Sequence, residues 1–496
     1  MSIASHFSAL QVVVPLLIAP VVVFLRPRGL AWAAASAGSF LAFLIAVTLT
    51  SQVQQNGAVT YMMGSWPAPY GIELHVSSFS ALLLLIVTAS STLVLLAGRT
   101  SIDMDVSQGR QPLFYSAWLL ALAGMAGIIV AGDAFNIFVF MEIASLSGYL
   151  LIAAGPDRRA LPAVFKYLLI GTIGATFYLI GVGLIYMMTG TLNLADMEAR
   201  IHDVGELKPI LVAAGFITVG LALKAAVFPL HVWLPNSYTF APHIVTAFLA
   251  ACSTKVSIYV LLRFDFLVFQ QNLVAHDIQF ATIFIPLAVL AVLIPSVSAM
   301  FEPNLKRLLA YSSIAQVGYI MMGAALVSVT GLTAGIIHMF NHALAKGTLF
   351  LAVACLGTHF VQLRIEDIRG AARQMPWTMA AFVVAGLSLI GVPGTAGFIS
   401  KWYLITAAMQ EGGLGVVLVV VVLVSSLMAV VYIWRVVEAA YFGVQKETLK
   451  PAGEAPLVML SVTWVAALAN LYFGLFPDLP LSLSTNAATT LLEHLR

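Results

Sequence analysis

The chain predicts an all-α, polytopic membrane fold. Three observations carry this. Hydrophobic residues make up 61% of the 496 positions and charged residues only 9%, against roughly 25% charged in a soluble domain. The mean hydropathy is +1.00. About 14 apolar runs each approach the ~20 residues a spanning helix needs. No polar block is long enough for a separate soluble domain, so residues 1–496 read as a single integral membrane domain. The net charge of +2, with no basic block, gives no reason to expect a nucleic-acid partner.

In order, the runs fall near 8–25, 30–50, 75–97, 113–130, 132–154, 163–189, 209–230, 241–264, 279–300, 308–327, 330–357, 378–404, 412–441 and 456–477. The first has no basic segment before it and is followed by Arg26, Pro27 and Arg28. That is a first span with a positive stop, not a cleaved signal peptide. Loops after odd-numbered spans, with their flanks, carry Arg26, Arg28, Arg99, Arg110, Arg158, Arg159, Lys166, Lys306, Arg307, Arg364, Arg369, Arg373, Lys446 and Lys450. Loops after even-numbered spans carry Arg200 and Lys208, with Arg263 at a span end. The bias places the odd-to-even loops in the cytoplasm and both termini outside it. The polar stretch 190–208 predicts an outer loop with a short helix, and no long helical arm is expected after the fourteenth span.

The seventh and twelfth spans are interrupted. The seventh reads LALKAAVFPLHVWLP, with Pro229 and Pro235 after Lys224; the twelfth reads GLSLIGVPGTAGFISKWYL, with Gly391, Pro393, Gly394 and Gly397 before Lys401. A broken helix frees backbone groups, which a bilayer tolerates only where protein or water satisfies them. Spans an odd number apart run in opposite directions. The two breaks therefore suggest two inverted five-span units, 113–264 and 279–441, with the transport site at the paired breaks. Ordinary proline kinks would look the same in the absence of ionisable neighbours.

Those neighbours are Glu142, Lys224, Lys255, Lys346 and Lys401, each inside an otherwise apolar run. A charged side chain near the bilayer centre costs about 2.5–3.5 kcal/mol even on the lenient insertion scale. The four cations are all lysine, which can give up its proton when desolvated as arginine in practice cannot. Glu142, in DAFNIFVFMEIASLSGYLL, is the acid deepest in the hydrocarbon, and Lys224 is its expected partner; a static clip between two spans would use the same pair. Lys255, in ACSTKVSIYVLLRF, lies well inside the eighth span, too far in for easy snorkelling. His338, His342 and Lys346 in the eleventh span recur every four residues and so share a helix face. Histidine titrates near neutrality, so this face can pass protons through bridging water. Packing histidines, or a haem or metal pair, remain the alternatives there. Lys401 follows the second break, with snorkelling as its alternative. Arg435 and Glu438 predict a structural (i, i+3) pair, Asp133 an interfacial acid, and His231 and His243 flank the connection between spans seven and eight. Cys252 and Cys355 lie in apolar runs without metal-ligand spacing, and no phosphate-binding loop is present. The expectation is a transporter subunit with no catalytic residues, no metal and no cofactor.

These segments resemble the antiporter-like, proton-conducting subunits shared by respiratory complex I, membrane-bound hydrogenases and Mrp-type sodium/proton antiporters, most of all the D-type Mrp subunits. The resemblance covers about residues 75–445. It rests on FNIFVFMEI, KYLLIGTIGATFYLIG, LKAAVFPLHVWLP, TKVSIYVLLRF, NLKRLLAYSSIAQVGYI, HMFNHALAKGTLF and GVPGTAGFISK. It implies fourteen spans with inverted repeats. It also implies Glu142 and Lys224 as the coupled pair, Lys255 as the central relay, the span-eleven histidines as the link between halves, and Lys401 as the terminal proton site. The implied setting is a hetero-oligomeric complex in the cell (inner) membrane, with a second antiporter-like subunit and small hydrophobic subunits as partners, and protons and sodium as candidate ions. The alternative setting is a complex I-like quinone reductase or membrane-bound hydrogenase. His243, in NSYTFAPHIVTAF, departs from the family pattern, where a proline or small residue is usual. Lysine at 401 stands where some relatives carry glutamate, and the missing arm argues against the arm-bearing subunit.

Overall fold

A computed structural model describes residues 3–25, 28–201, 203–204, 208–269, 280–444 and 453–493. The expected positive charges at Arg26, Lys446 and Lys450, and positions 202 and 205–207 of the outer loop, lie outside the described residues. Nineteen helices run through the rest: α1 Phe7–Phe24, α2 Arg28–Asn56, α3 Ser78–Asp105, α4 Gln111–Val130, α5 Ala134–Ala153, α6 Ala160–Thr189, α7 Leu194–Ile201, α8 Lys208–Ala225, α9 Leu234–Phe240, α10 His243–Arg263, α11 Ile285–Phe301, α12 Leu305–Ala325, α13 Val329–Gly357, α14 Ala371–Gln374, α15 Pro376–Ile390, α16 Ala396–Met409, α17 Gly412–Phe442, α18 Leu457–Leu475 and α19 Asp478–Leu492. Among the described residues thirteen helices are long and apolar enough to cross a membrane. The remaining expected crossing is made in two pieces, α15 and α16.

Both interruptions fall where glycine and proline predict them. The seventh span runs as α8, breaks over residues 226–233 and resumes as α9; the twelfth breaks over 391–395 between α15 and α16. The short helix expected in the 190–208 loop is α7. Two features were not expected from the sequence. Val59–Met62 (β1) and Glu73–Val76 (β2) form an antiparallel hairpin between α2 and α3. After the fourteenth span the chain adds α19, which packs on α13 and α3.

The centre of the bundle is α3, α4, α10, α12 and α13. In the four of these other than α3, more than four-fifths of the most apolar window is buried. Outer helices such as α1, α17 and α18 turn most of their surface outward, as lipid- or partner-facing spans do. Close approach is set by small residues. Gly174 on α6 and Gly220 on α8 lie back to back, and a methyl at either would sit 2.8 Å or 2.5 Å from the other's carbonyl oxygen.

One corner motif appears twice. Ala134 donates its N–H to the Leu192 carbonyl at 2.9 Å and Leu194 donates to that of Gly132 at 3.0 Å; Leu305 donates to Leu363 at 2.8 Å and Ile365 to Pro303 at 2.9 Å. Each corner opens with an N-cap, Asp133 for α5 and Asn304 for α12. Beside each, an arginine from the last span of the same half donates to a backbone carbonyl, Arg263 to Ala131 and Arg435 to Met300. Arg435 therefore does not make the expected pair with Glu438, and no ion pair joins them among the described residues. Five crossings separate the corners, so they open on opposite membrane faces.

Candidate functional site

A row of buried polar groups crosses the middle of the bundle, starting at α5. Glu142 and Lys224 are brought together: Lys224 Nζ lies 3.1 Å from Glu142 Oε1 and donates to Ser145 Oγ at 2.8 Å. Lys224 stands in the last turn of α8, immediately before the break, and its side chain is 6% exposed. Glu142 is 29% exposed on the outer side of α5. The Glu142 carboxylate is thus left partly exposed at the surface of the bundle.

Beyond this pair lies a small cavity of about 40 Å³, bordered by Ser145, Tyr167, Lys224, Ser253 and Ser257. Its wall is mostly apolar, but a space of that size with these polar groups on it admits a water molecule. It connects Lys224 to the serines flanking Lys255 on α10. Lys255 is fully buried and donates to the Ala250 carbonyl of its own helix. It lies close enough to His342 and Lys346 for their charges to interact.

On α13, His338 and His342 stack with their ring centroids 6.2 Å apart. His338 is held at both ring nitrogens, by Ser400 Oγ at 2.7 Å and by Gln316 Oε1 at 2.9 Å. Both nitrogens of His342 are buried with no protein partner. A buried imidazole in that state calls for water, so water at His342 fits its place between Lys255 and Lys346. Lys346 donates to the Leu309 carbonyl at 2.9 Å and to Ser312 Oγ.

Lys401, on α16, reaches back into the break. Its Nζ donates to the Ile390 carbonyl at 2.7 Å, the Leu389 carbonyl at 3.2 Å and Ser426 Oγ at 3.0 Å. It lies 5.0 Å from the Tyr319 ring centroid, and that ring meets His338 edge-on. Lys401 is therefore turned inward at 5% exposure, not snorkelled to a surface. Tyr319 links it to the span-eleven histidines.

Of the seven residues expected from sequence, all but Glu142 are buried, with Glu142 and Lys224 paired and His338 and His342 stacked. Sequence reasoning passed over Ser145, Ser312, Gln316, Tyr319, Ser400 and Ser426. They carry no charge, and scattered hydroxyls in membrane helices usually bond their own backbone. Only spatial convergence on the lysines sets these apart. Among the described residues the one ion pair inside the hydrocarbon is Glu142–Lys224; the other lysines are held by carbonyl and hydroxyl oxygens. Such acceptors hold an ammonium without supplying a counter-charge. No group of three His, Cys, Asp or Glu among the described residues is placed to hold a metal ion.

The profile of a family described as NADH:quinone oxidoreductase/Mrp antiporter, membrane region, matches residues 131–429. The chain is 38% identical to NADH-quinone oxidoreductase subunit N of Desulforudis audaxviator, over 96% of each chain. It is 29% identical to the D-type subunit of the Na(+)/H(+) antiporter of Bacillus subtilis, over 99% of this chain and 98% of that one. Its backbone superposes on a chain in the structure of the Mrp complex from Dietzia sp. with a TM-score of 0.91 and 26% identity, over 99% and 98% of the two chains.

Proposed function

The chain belongs to the NADH:quinone oxidoreductase/Mrp antiporter membrane family, and from that premise we propose that it is an ion-translocating subunit of a multi-subunit cation/proton antiporter of the Mrp type. Protons pass along Glu142–Lys224, then Lys255, then His338, His342 and Lys346, then Lys401. The observation that carries this reading is the contrast among the buried lysines. One is paired with a carboxylate, and the others rest on neutral oxygens along a path with room for water. When Glu142 gains a proton, Lys224 loses its counter-charge and holds its own proton less firmly. Moving one charge through 100 mV is worth ~2.3 kcal/mol, comparable to a shift of under two pKa units.

The inverted units, 113–264 and 279–441, supply the two sides of the path; the repeated corner supports that division. The positive-charge bias supports a cell-membrane protein with both termini outside the cytoplasm. The subunit carries no redox or hydrolytic site of its own and depends on its complex for any coupling. A redox-linked setting is favoured by the 38% identity to a subunit of an NADH-quinone oxidoreductase.

The test uses membrane vesicles carrying the whole complex. Glu142→Gln and Lys224→Ala should each abolish proton transport while the complex still assembles. Exchange at the wild-type rate in either would sink the pair. Sodium-driven pH change in the wild type supports the antiporter setting; pH change that needs a quinone and a reductant supports the redox one.

A further inference from the structure

A polar pocket of about 390 Å³ lies where α2 begins, α3 ends and α4 begins. Trp32, Arg99, Asp103, Gln111 and Tyr115 line it, and none of them belongs to the relay. Trp32 and Tyr115 each stand one turn into their helix. Leu30, Met104 and Leu113, on the same three helix ends, are each more than half exposed, as side chains that face acyl chains are. Tryptophan and tyrosine beside such an apolar rim mark the level at which headgroups meet hydrocarbon.

Arg99 and Asp103 are four residues apart on α3, the spacing at which opposite charges on a helix pair. Here they do not: no ion pair joins them among the described residues. The Arg99 guanidinium lies over Trp32, its Cζ 5.1 Å from the ring centroid, and the Trp32 indole N–H is fixed on the Leu95 carbonyl at 2.9 Å. Asp103 Oδ1 instead accepts Gln111 Nε2 at 3.0 Å. Gln111 is 1% exposed, and its own Oε1 is buried with no partner. The Tyr115 hydroxyl lies close enough to Arg99 and Asp103 for both charges to act on it. A cation and an anion are thus held apart in one pocket, each on a neutral partner.

A ligand of a single sign answers only one of them. A phosphate suits Arg99 and is repelled by Asp103; a simple amine does the reverse. A zwitterion with a phosphate and a primary ammonium a short link apart suits both. The ammonium also brings N–H donors to the side of the pocket where Gln111 Oε1 lacks one, which a trimethylammonium cannot do. The space holds on the order of a dozen waters at ~30 Å³ each, ample for such a headgroup.

We propose that this pocket binds one phosphoethanolamine-bearing phospholipid, with its phosphate on Arg99 and the Tyr115 hydroxyl and its ammonium on Asp103. The acyl chains lie over Leu30, Met104 and Leu113, and this apolar rim is what selects a lipid over a soluble phosphoethanolamine. The lipid ties α2 and α3 to α4. The proposal needs the membrane reading of the chain and is independent of the relay.

The test uses the whole complex, purified, stripped of lipid by detergent exchange and titrated with phosphatidylethanolamine, phosphatidylcholine and phosphatidylglycerol of identical acyl chains. Bound lipid is read by native mass spectrometry. The wild type should hold one phosphatidylethanolamine about tenfold more tightly than the other two lipids, as one hydrogen bond between charged groups provides. Arg99→Gln should lose that tight lipid. Asp103→Asn keeps an acceptor for Gln111 and removes the charge, so it should lose the preference for phosphatidylethanolamine and take phosphatidylglycerol instead. Both residues are exposed, so neither substitution threatens assembly. A wild type without the preference, or the same tight phosphatidylethanolamine in either variant, overturns the proposal. Glycerophosphoethanolamine at the concentration of the lipid should not displace it; full displacement overturns the lipid as the occupant.

Discussion

Asp133 and Asn304 perform the same task with different side chains. Asp133 Oδ1 accepts the Asn136 N–H at 2.7 Å, and Asn304 Oδ1 accepts that of Arg307 at 3.1 Å. Burial holds the Asp133 carboxyl above its ordinary range, with the bonds from Asn136 opposing. A carboxyl whose folded-state pKa is raised favours the neutral form in the fold. Its penalty appears as pH rises through the unfolded value and is complete above the folded one. Asp133→Asn keeps the cap and removes the charge. It should melt at or above the wild-type temperature at pH 7, the difference shrinking toward pH 4. Asp133→Ala loses the cap and about 1 kcal/mol. Thermal unfolding of the purified complex checks both; an asparagine variant as unstable as the alanine one counts against the cap. The same arithmetic explains the choice of lysine along the relay. An arginine at 224 would keep the pair with Glu142 but could not release its proton.

The broken twelfth span is the element on which Lys401 depends. Gly391 ends α15 with φ +91°, and a methyl there would lie 2.8 Å from Lys401 Cδ. Gly397 sits where a methyl would come within 1.8 Å of the Ser388 carbonyl oxygen. One obstacle is a flexible side chain, the other a backbone. Gly391→Ala should therefore assemble, at a cost of roughly 1–2 kcal/mol for the left-handed residue, and lose transport by displacing Lys401. Gly397→Ala should lower the amount of assembled complex, because α15 and α16 cannot close. Blue-native gels and vesicle transport separate the two; a fully assembled, active Gly391→Ala would show that the Lys401 position is not critical. Such breaks are legible in sequence because Gly and Pro interrupt an apolar run at fixed places, and the buried lysines are legible because each is costly in hydrocarbon. The hairpin was not. VTYM and ELHV are four-residue strands separated by a long loop, too short to show a period of two. Nor was α19, whose Ser- and Thr-rich sequence lacks the run of a spanning helix. Arg435 offered an acid three residues on, yet the nearer partner was a carbonyl on α11, which only packing brings close.

At the scale of the whole molecule, distant loops gather at two ends. Arg159 and Arg364, from the loops after the fifth and eleventh spans, and Lys306 and Arg307, from the first turn of α12, all line one cavity. Glu73 and Asn193 meet at the other corner, with His75 beside Arg263; burial and that guanidinium lower the His75 pKa. No pattern along the chain announces either meeting, because each draws on residues tens to hundreds of positions apart. What the sequence does carry is the sign: positive residues cluster at one end, and positive loops stay in the cytoplasm. With fourteen crossings, an even number, the same rule would put both termini on the opposite side. A phosphatase that folds only outside the cytoplasm, fused after the last residue, should be active. The same enzyme inserted after Val361, fully exposed in the loop after the eleventh span, should be inactive. The reverse pair of results would invert the molecule. The second corner would then face outward and the hairpin inward.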